Sequence, residues 1–175
     1  MIRKEIEEKI KELQAQLETL VDVTYGELKA GDTFLYKGHE FTKLRNGEAV
    51  INSYYADFMH CQFDNVDNEY IGSLIYYYVA DKLIRLLKLD KSDFVDSEVR
   101  PVASLLSEEE YEENKDIIKN FVNGWWLRSG DCDYNNFAYY VYSNGDVSSD
   151  YVYSGFGVRP MFSFKDDVAI EVVNE

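Results

Sequence analysis

The sequence predicts an α+β domain with antiparallel sheets, and three observations support that class. Strand-like segments, joined by turn signals at Gly38-His39 and Asn46-Gly47, form a meander over residues 33–55. Two helical patterns follow. Strand patterns then return in the C-terminal third, where Asn144-Gly145 marks another hairpin because Asn-Gly readily adopts the positive φ angles of tight turns. Strands and helices that are segregated along the chain are typical of the α+β class.

Two core helices are expected between the β-regions. The first covers residues 70–89, where the apolar spacing gives a broad face for burial, and either Asp67 or Asn68 would cap it. The second begins after Ser107. Ser107 and Glu110 have the spacing of a capping box, and consecutive glutamates favour the positive N-terminal end of a helix.

The chain opens with a charged segment, residues 2–20, that predicts an amphipathic helix. Its apolar side chains recur at three- and four-residue steps and form one narrow stripe. The stripe consists of Ile2, Ile6, Ile10, Leu13, Leu17 and Leu20. Two interpretations are open: the helix packs on its own domain, or it self-associates or docks to a partner. We assign residues 1–22 to this helix and residues 23–175 to a single domain.

Composition and charge narrow the function classes. The chain has 175 residues, fifteen tyrosines and a net charge of −15, and such an acidic balance argues against direct binding to nucleic acid. It is compatible with a solvated acidic surface, a basic partner, or a protein that imitates nucleic acid. No apolar run approaches the ~20 residues that span a membrane. The charged N-terminus also lacks a signal peptide's apolar core, so we expect a cytoplasmic protein or a virion component.

The sequence offers no catalytic or metal-binding motif, and we predict no enzyme activity, no metal and no cofactor. His39 and His60 have no metal-binding spacing, and the common nucleophile and phosphate-binding motifs are missing. Cys61 and Cys132 are far apart and outside any Cys/His array, which predicts two free thiols rather than a disulfide or a zinc site.

The segment WWLRS, residues 125–129, carries two tryptophans and a scarce cation. Neighbouring side chains on a strand face opposite ways, so we expect one of Trp125 and Trp126 to enter the core and the other to lean over an edge or pocket. Arg128 and Arg159 have two open interpretations. Each is either a buried arginine bonded to carbonyls or carboxylates, or an anchor for an anionic ligand.

Residues 133–153, DYNNFAYYVYSNGDVSSDYVY, contain Tyr, Asn, Asp or Ser at fifteen of 21 positions. Antibody binding loops use that mixture, since Tyr supplies rigid contact area and Ser and Asn supply adaptable hydrogen bonds. Outward tyrosines also occur on sheets that bind nothing, and the opposite parity of Val147 and Val152 predicts a bulge in the hairpin. We interpret the hairpin as an interaction surface. Its candidate contact residues are Trp126, Tyr134, Asn135, Asn136, Tyr140, Tyr142, Ser148, Asp150, Tyr151 and Tyr153.

WWLRS, the Tyr-rich hairpin and GVRP together resemble a family of uncharacterised domains of phages, prophages and gut bacteria. NEYIGSLIYYYVADKLI and SLLSEEEYEE are similar to weaker upstream segments of that family, so the resemblance covers about residues 24–164. Gly130 departs from the pattern, which usually has Pro there. The resemblance implies a C-type-lectin-like fold, in the branch of formylglycine-generating enzymes and of the variable proteins of diversity-generating retroelements.

In those variable proteins, the hairpin before a final Gly-x-Arg is an adaptable ligand-binding face. The resemblance therefore implies a fixed frame around the hairpin, formed here by Trp125, Arg128, Gly157 and Arg159. The formylglycine-generating enzymes need a copper-binding cysteine pair, and the two cysteines of this chain do not match their arrangement.

The leading hypothesis is a non-enzymatic module that binds a protein or cell-surface ligand through the hairpin. The alternative is an acidic phage-type inhibitor of a host defence enzyme. Its negative surface would occupy a basic nucleic-acid channel, and its N-terminal helix would dimerise it. Salt separates the two hypotheses, because binding by an acidic mimic weakens steeply as ionic strength rises.

Overall fold

The computed structural model describes residues 6–11, 23–52, 61–95 and 102–173. Ten strands lie in these ranges: β1 (Val23–Thr24), β2 (Thr33–Tyr36), β3 (His39–Lys43), β4 (Ala49–Ile51), β5 (Ala103–Leu105), β6 (Trp125–Gly130), β7 (Phe137–Val141), β8 (Val147–Tyr151), β9 (Pro160–Phe162) and β10 (Ala169–Val172). They form a seven-stranded sheet, in the order β1-β10-β2-β3-β4-β9-β5, and a three-stranded sheet, β6-β7-β8. Every strand pair is antiparallel. The α+β class is confirmed.

The meander lies where the sequence predicts it, but its turns differ in detail. The first turn is Lys37-Gly38 rather than Gly38-His39: both residues have positive φ, 49° and 80°, and His39 begins β3. At Asn46-Gly47 the glycine alone has positive φ. Its N–H donates to the carbonyl of Leu44, as in a three-residue loop that ends in a glycine bulge. Residues 53–55 of the predicted meander lie outside the described residues.

The first predicted helix is present but shorter than expected. It consists of α1 (Leu74–Tyr77), a π-helical stretch (Tyr78–Leu83) and α2 (Ile84–Leu86). Its N-cap is Ser73, whose Oγ accepts a hydrogen bond from the Tyr76 N–H. Neither Asp67 nor Asn68 caps it: Asp67 accepts from the nearby Glu69 N–H, and Asn68 bonds to the C-terminal part of the chain.

The second predicted helix, α3 (Glu108–Asn114), begins where the capping box places it. Ser107 Oγ accepts from the Glu110 N–H at 3.1 Å, and Glu110 Oε2 accepts from the Ser107 N–H at 2.8 Å. Within the described part of the chain, no helix is both long and apolar enough to cross a membrane.

Of the predicted N-terminal helix, residues 6–11 belong to the described residues, and they are helical and exposed. Ile6 and Ile10 leave 53% and 49% of their surface exposed. The stripe therefore does not pack on the domain at these positions, and self-association stays a prediction. The other residues of the 1–22 segment lie outside the described ranges, and the division into this helix and one domain likewise stays a prediction.

The three-stranded sheet separates two hydrophobic clusters. Trp126, Ala138 and Tyr140 belong to the larger cluster, and Trp125 belongs to the smaller one. The two tryptophans thus face opposite ways, as predicted. The expectation that one of them leans over an edge or pocket is wrong, because a core covers each face of β6 and the two indoles are 2% and 0% exposed.

The predicted bulge in the hairpin is also wrong. β7 and β8 pair without interruption from Phe137↔Tyr151 to Val141↔Val147. Val152 has the other parity because β8 ends at Tyr151 and the chain turns there, which buries the Val152 side chain. The register shift lies instead in β6, between Trp126 and Gly130.

Candidate ligand-binding surface

Arg159 is a structural residue that fixes the C-terminal end of the hairpin region. Its guanidinium is buried and donates to the carbonyls of Ile51 and Lys119, at 3.0 and 2.5 Å, and to Asn52 Oδ1 at 3.0 Å. The ring centroid of Phe121 lies 4.5 Å from its Cζ. Burial lowers the pKa of Arg159 to about 9, so the side chain is still charged at neutral pH. These contacts confirm the buried-arginine interpretation.

Arg128 fixes the other end through a two-pronged ion pair. Its Nη1 and Nη2 donate to the two carboxylate oxygens of Glu110 at 2.5 and 2.8 Å, and Nη1 also donates to the Leu105 carbonyl. Burial disfavours the charged form of Glu110, but hydrogen bonds from Arg128 and from the Ser107 N–H outweigh it and lower the pKa of Glu110. One carboxylate therefore caps α3 and ties the helix to β6.

Asn68 holds the loop that leads into the hairpin. Its side-chain amide donates to three carbonyls, those of Asp131, Tyr134 and Phe137, at 2.9, 3.1 and 2.8 Å. Gly130 allows this approach, because a Cβ at that position would lie 2.6 Å from the Asn68 amide carbon. This role of Asn68 is not among the predictions from the sequence. The available signal was its position in the NEYIGS segment that resembles the family's Asn-x-Tyr-x-x-Ser motif.

Four aromatic side chains form a continuous group at one end of the small sheet, which we call the aromatic row. The ring centroids are 5.5 Å apart for Tyr134 and Phe137, 4.3 Å for Phe137 and Tyr151, and 4.9 Å for Tyr151 and Tyr153. The three tyrosines are 62%, 41% and 52% exposed in chain order. Phe137 is half-buried and pairs with Tyr151 across the two strands. The row therefore presents large rings that already touch one another.

Two of the predicted contact residues lie in the core instead. Trp126 is buried, and its Nε1 donates to the Cys61 carbonyl at 2.8 Å. Tyr140 is buried as well and stacks on Phe156 at 4.0 Å. These two side chains lie on the face of the small sheet that is opposite to Phe137 and Tyr151, so they do not contribute to the aromatic row. Tyr142 is exposed, but it lies at the hairpin turn beside Tyr140 and outside the aromatic row.

The remaining predicted residues lie in two places: Asn135 and Asn136 precede β7, and Ser148 and Asp150 belong to β8. Asn135 is exposed and Asn136 is half-buried. Their carbonyls accept from the N–H groups of Asn68 and Val152. Ser148 and Asp150 pair with Tyr140 and Ala138, so they share the face of the sheet that is opposite to Tyr151. The predicted set is therefore not one surface. Tyr134, Tyr151 and Tyr153 come together, and Phe137 joins them although the sequence interpretation omitted it.

Acidic groups lie beside the aromatic row. Asp131 is half-buried and Asp133 is exposed. Hydrogen bonds from the Asp133 N–H and from the Ser149 side chain lower the pKa of Asp131, so its carboxylate is charged at neutral pH. Cys132, which lies between these two aspartates in the chain, is a free thiol, and so is Cys61, as predicted.

One family model matches a C-terminal part of the chain. Residues 91–166 match the model of a domain of unknown function, DUF6273. This range includes the Arg128–Glu110 pair, the aromatic row and Arg159, whereas Asn68 and the meander precede it. No curated protein and no solved structure matches the chain.

Proposed function

We propose that this chain is a non-enzymatic binding module whose contact surface is the aromatic row. The supporting observation is the continuity of the row: three tyrosines, 41% to 62% exposed, touch one another directly or through Phe137. Aromatic side chains are enriched at the buried centres of protein interfaces, and Tyr and Trp are frequent among the few residues that dominate the binding energy. The proposed ligand is a protein or a cell-surface molecule.

The frame around the row favours binding with little ordering cost. Asn68 bonds the loop that carries Tyr134 and Phe137, and the Arg128–Glu110 pair fixes the strand before that loop. A contact surface that is already held in place loses less conformational entropy when it binds. A partner with basic groups around an apolar centre would complement the neighbouring carboxylates of Asp131 and Asp133.

The proposal includes the C-type-lectin-like fold that the resemblance implies. Its support is the arrangement of WWLRS and GVRP, whose arginines fix the two ends of the hairpin region. A phage, prophage or gut-bacterial setting and a relationship to the variable proteins of retroelements belong to the same proposal, with the hairpin as the ligand-binding face.

The test measures binding of fluorescently labelled protein to a panel of gut-bacterial cells by flow cytometry. The triple variant Tyr134→Ala, Tyr151→Ala, Tyr153→Ala should lose at least about 90% of the bound signal, because anchor aromatics each contribute about 2 kcal/mol or more. The matched control is Tyr77→Ala, an exposed tyrosine on α1 that should retain binding.

Two outcomes of this test count against the proposal. Binding that survives in the triple variant places the contact elsewhere. Binding that falls steeply with added salt, yet does not depend on the three tyrosines, favours the acidic inhibitor over the aromatic row. The midpoint of thermal unfolding, measured for every variant, distinguishes a loss of binding from a loss of folded structure.

A further inference from the structure

A separate cleft of about 820 Å³ lies at the junction of the two sheets. The large sheet contributes Ser104 and Met161, and the small sheet contributes Arg128, Ser129 and Gly130. The segment before α1 closes one side with Asn68, Glu69 and Tyr70. Cavities of this size commonly hold small ligands in proteins. The four rings of the aromatic row do not line this cleft, although it shares Asn68, Glu110, Arg128 and Asp131 with the frame around the row.

Most of the charged residues that line the cleft, among those that the structure describes, are acidic. Four acidic residues, Glu48, Glu69, Glu110 and Asp131, line the cleft together with one basic residue, Arg128. Glu110 already neutralises Arg128 through two hydrogen bonds. Because walls of low dielectric constant concentrate the field in a cleft, this balance favours a positively charged ligand and disfavours phosphate.

The spacing of the carboxylates argues for an organic cation over a metal ion. Among the described residues, the group of three potential ligands whose donor atoms lie within 4.8 Å of one another is Asp131, Cys132 and Asp133. Within it, Asp131 alone lines the cleft. A metal ion needs ligands that converge on one point at about 2–2.6 Å. Carboxylates spread over the cleft instead suit a ligand whose charge is extended.

Two aromatic rings complete the lining. Tyr70 and Tyr76 are in edge-to-face contact, with ring centroids 5.5 Å apart. The Tyr70 hydroxyl is fixed by the Leu105 N–H at 3.1 Å. Ammonium and guanidinium groups are attracted to the faces of such rings. We propose that the cleft binds an organic cation with an ammonium or guanidinium group, held by Glu69 and Asp131 beside Tyr70 and Tyr76.

Isothermal titration calorimetry with defined cations tests this proposal. The probes are spermidine, which represents a free polyamine, and N-acetyl-lysine amide, which represents a side chain of a protein. The variants Glu69→Gln and Asp131→Asn each remove one negative charge from the cleft. The control Asp166→Asn removes the same charge from an exposed position outside it.

We expect saturable binding of one probe molecule per chain, weakened about five- to tenfold by either cleft variant and unchanged in the control. Binding of spermidine alone assigns the site to a free polyamine, and binding of the lysine amide assigns it to a protein side chain. The triple tyrosine variant should bind the probes normally, so a failure of the aromatic row would not affect this result.

Three results would overturn the proposal. The first is absence of saturable heat with both probes at millimolar concentration. The second is equal binding by the wild type and both cleft variants, which would show general attraction to an acidic chain. The third is binding of inorganic phosphate, since that would mean that Arg128 rather than the carboxylates recognises the ligand.

Discussion

Trp125 and Trp126 are neighbours in the chain, yet their indole nitrogens are in opposite situations. Nε1 of Trp126 donates to the Cys61 carbonyl at 2.8 Å, whereas Nε1 of Trp125 is buried and has no hydrogen-bond partner among the described residues. A buried donor that lacks a partner costs about 1–3 kcal/mol. The two tryptophans therefore allow a matched comparison of one paired and one unpaired indole.

We expect Trp126→Phe to lower the free energy of unfolding by about 1–2 kcal/mol more than Trp125→Phe does. Both changes remove similar ring volume from a core. Trp126→Phe also removes one of the two donors to the Cys61 carbonyl, the other being the Phe156 N–H. Trp125→Phe removes a donor that has no partner. Urea unfolding followed by circular dichroism measures the difference. Equal losses, or a larger loss for Trp125→Phe, would contradict the hydrogen-bond assignment.

The second prediction concerns the Asn68 amide. Asn68→Asp keeps the shape of the side chain but replaces the NH₂ group that donates to three carbonyl oxygens with a carboxylate oxygen, which can only accept. We therefore expect a loss of about 2–4 kcal/mol in the free energy of unfolding. Asn65→Asp, an exposed position in the same segment, is the control and should change little. Amide hydrogen exchange should show faster exchange at Asp131 and Phe137, whose N–H groups bond within this loop. Unchanged protection there would mean that Asn68 does not hold the loop.

Those local features of the fold that depend on nearby residues were predictable from the sequence. The capping box joins Ser107 to Glu110, three positions later in the chain, and α3 begins where this spacing predicts. Asn144-Gly145 also marks the hairpin correctly: the Gly145 N–H donates to the Tyr142 carbonyl, and the glycine has a φ of 88°. In such cases, a few adjacent side chains determine the backbone geometry.

The candidate site was less predictable because its contacts span most of the chain. Asn68 bonds carbonyls that are 63 to 69 positions away, and Arg159 bonds Ile51 across 108 positions. The composition of the hairpin indicated an aromatic surface but not which rings belong to it. Tyr140 is buried because Phe156 covers it, and Phe137 joins the surface because it lies opposite Tyr151.

The Arg128–Glu110 pair predicts a dependence of stability on pH. The folded-state pKa of Glu110 is lowered, so its stabilising effect is complete above the unfolded-state value of about 4.3 and is lost as pH falls through the folded-state value. Glu110→Gln should therefore cost about 2–4 kcal/mol at pH 7. The gap between wild type and variant should stay constant from pH 7 down to about pH 4.3 and narrow as the pH falls further, toward pH 3.

Urea unfolding over that pH range measures the gap. Glu112→Gln, on the exposed side of α3, is the control, and its effect should be small throughout because the ion pair between Glu112 and Lys115 is exposed to solvent. A gap for Glu110→Gln that stays constant from pH 7 to pH 3 would show that the carboxylate does not carry the pair's stabilisation.

The last prediction concerns the exposed apolar side chains near the N-terminus. Ile6 and Ile10 lie one helical turn apart, and each leaves about half of its surface exposed. A second copy of the chain would remove these side chains from water, which contributes up to about 1.5–3 kcal/mol for each isoleucine that becomes fully buried. We therefore expect the protein to self-associate through this segment. The double variant Ile6→Glu, Ile10→Glu should shift the mass measured by sedimentation equilibrium to that of one chain.

Val66→Glu with Val122→Glu is the matched control, since it adds the same two charges at exposed apolar positions of the domain and should leave the mass unchanged. A wild-type protein that sediments as a single chain at about 100 μM contradicts self-association. In that case the two isoleucines are available to a different partner. A dimer that persists in the double variant but dissociates in the control would move the contact from the N-terminal segment to the domain, because only the domain positions would then affect the assembly.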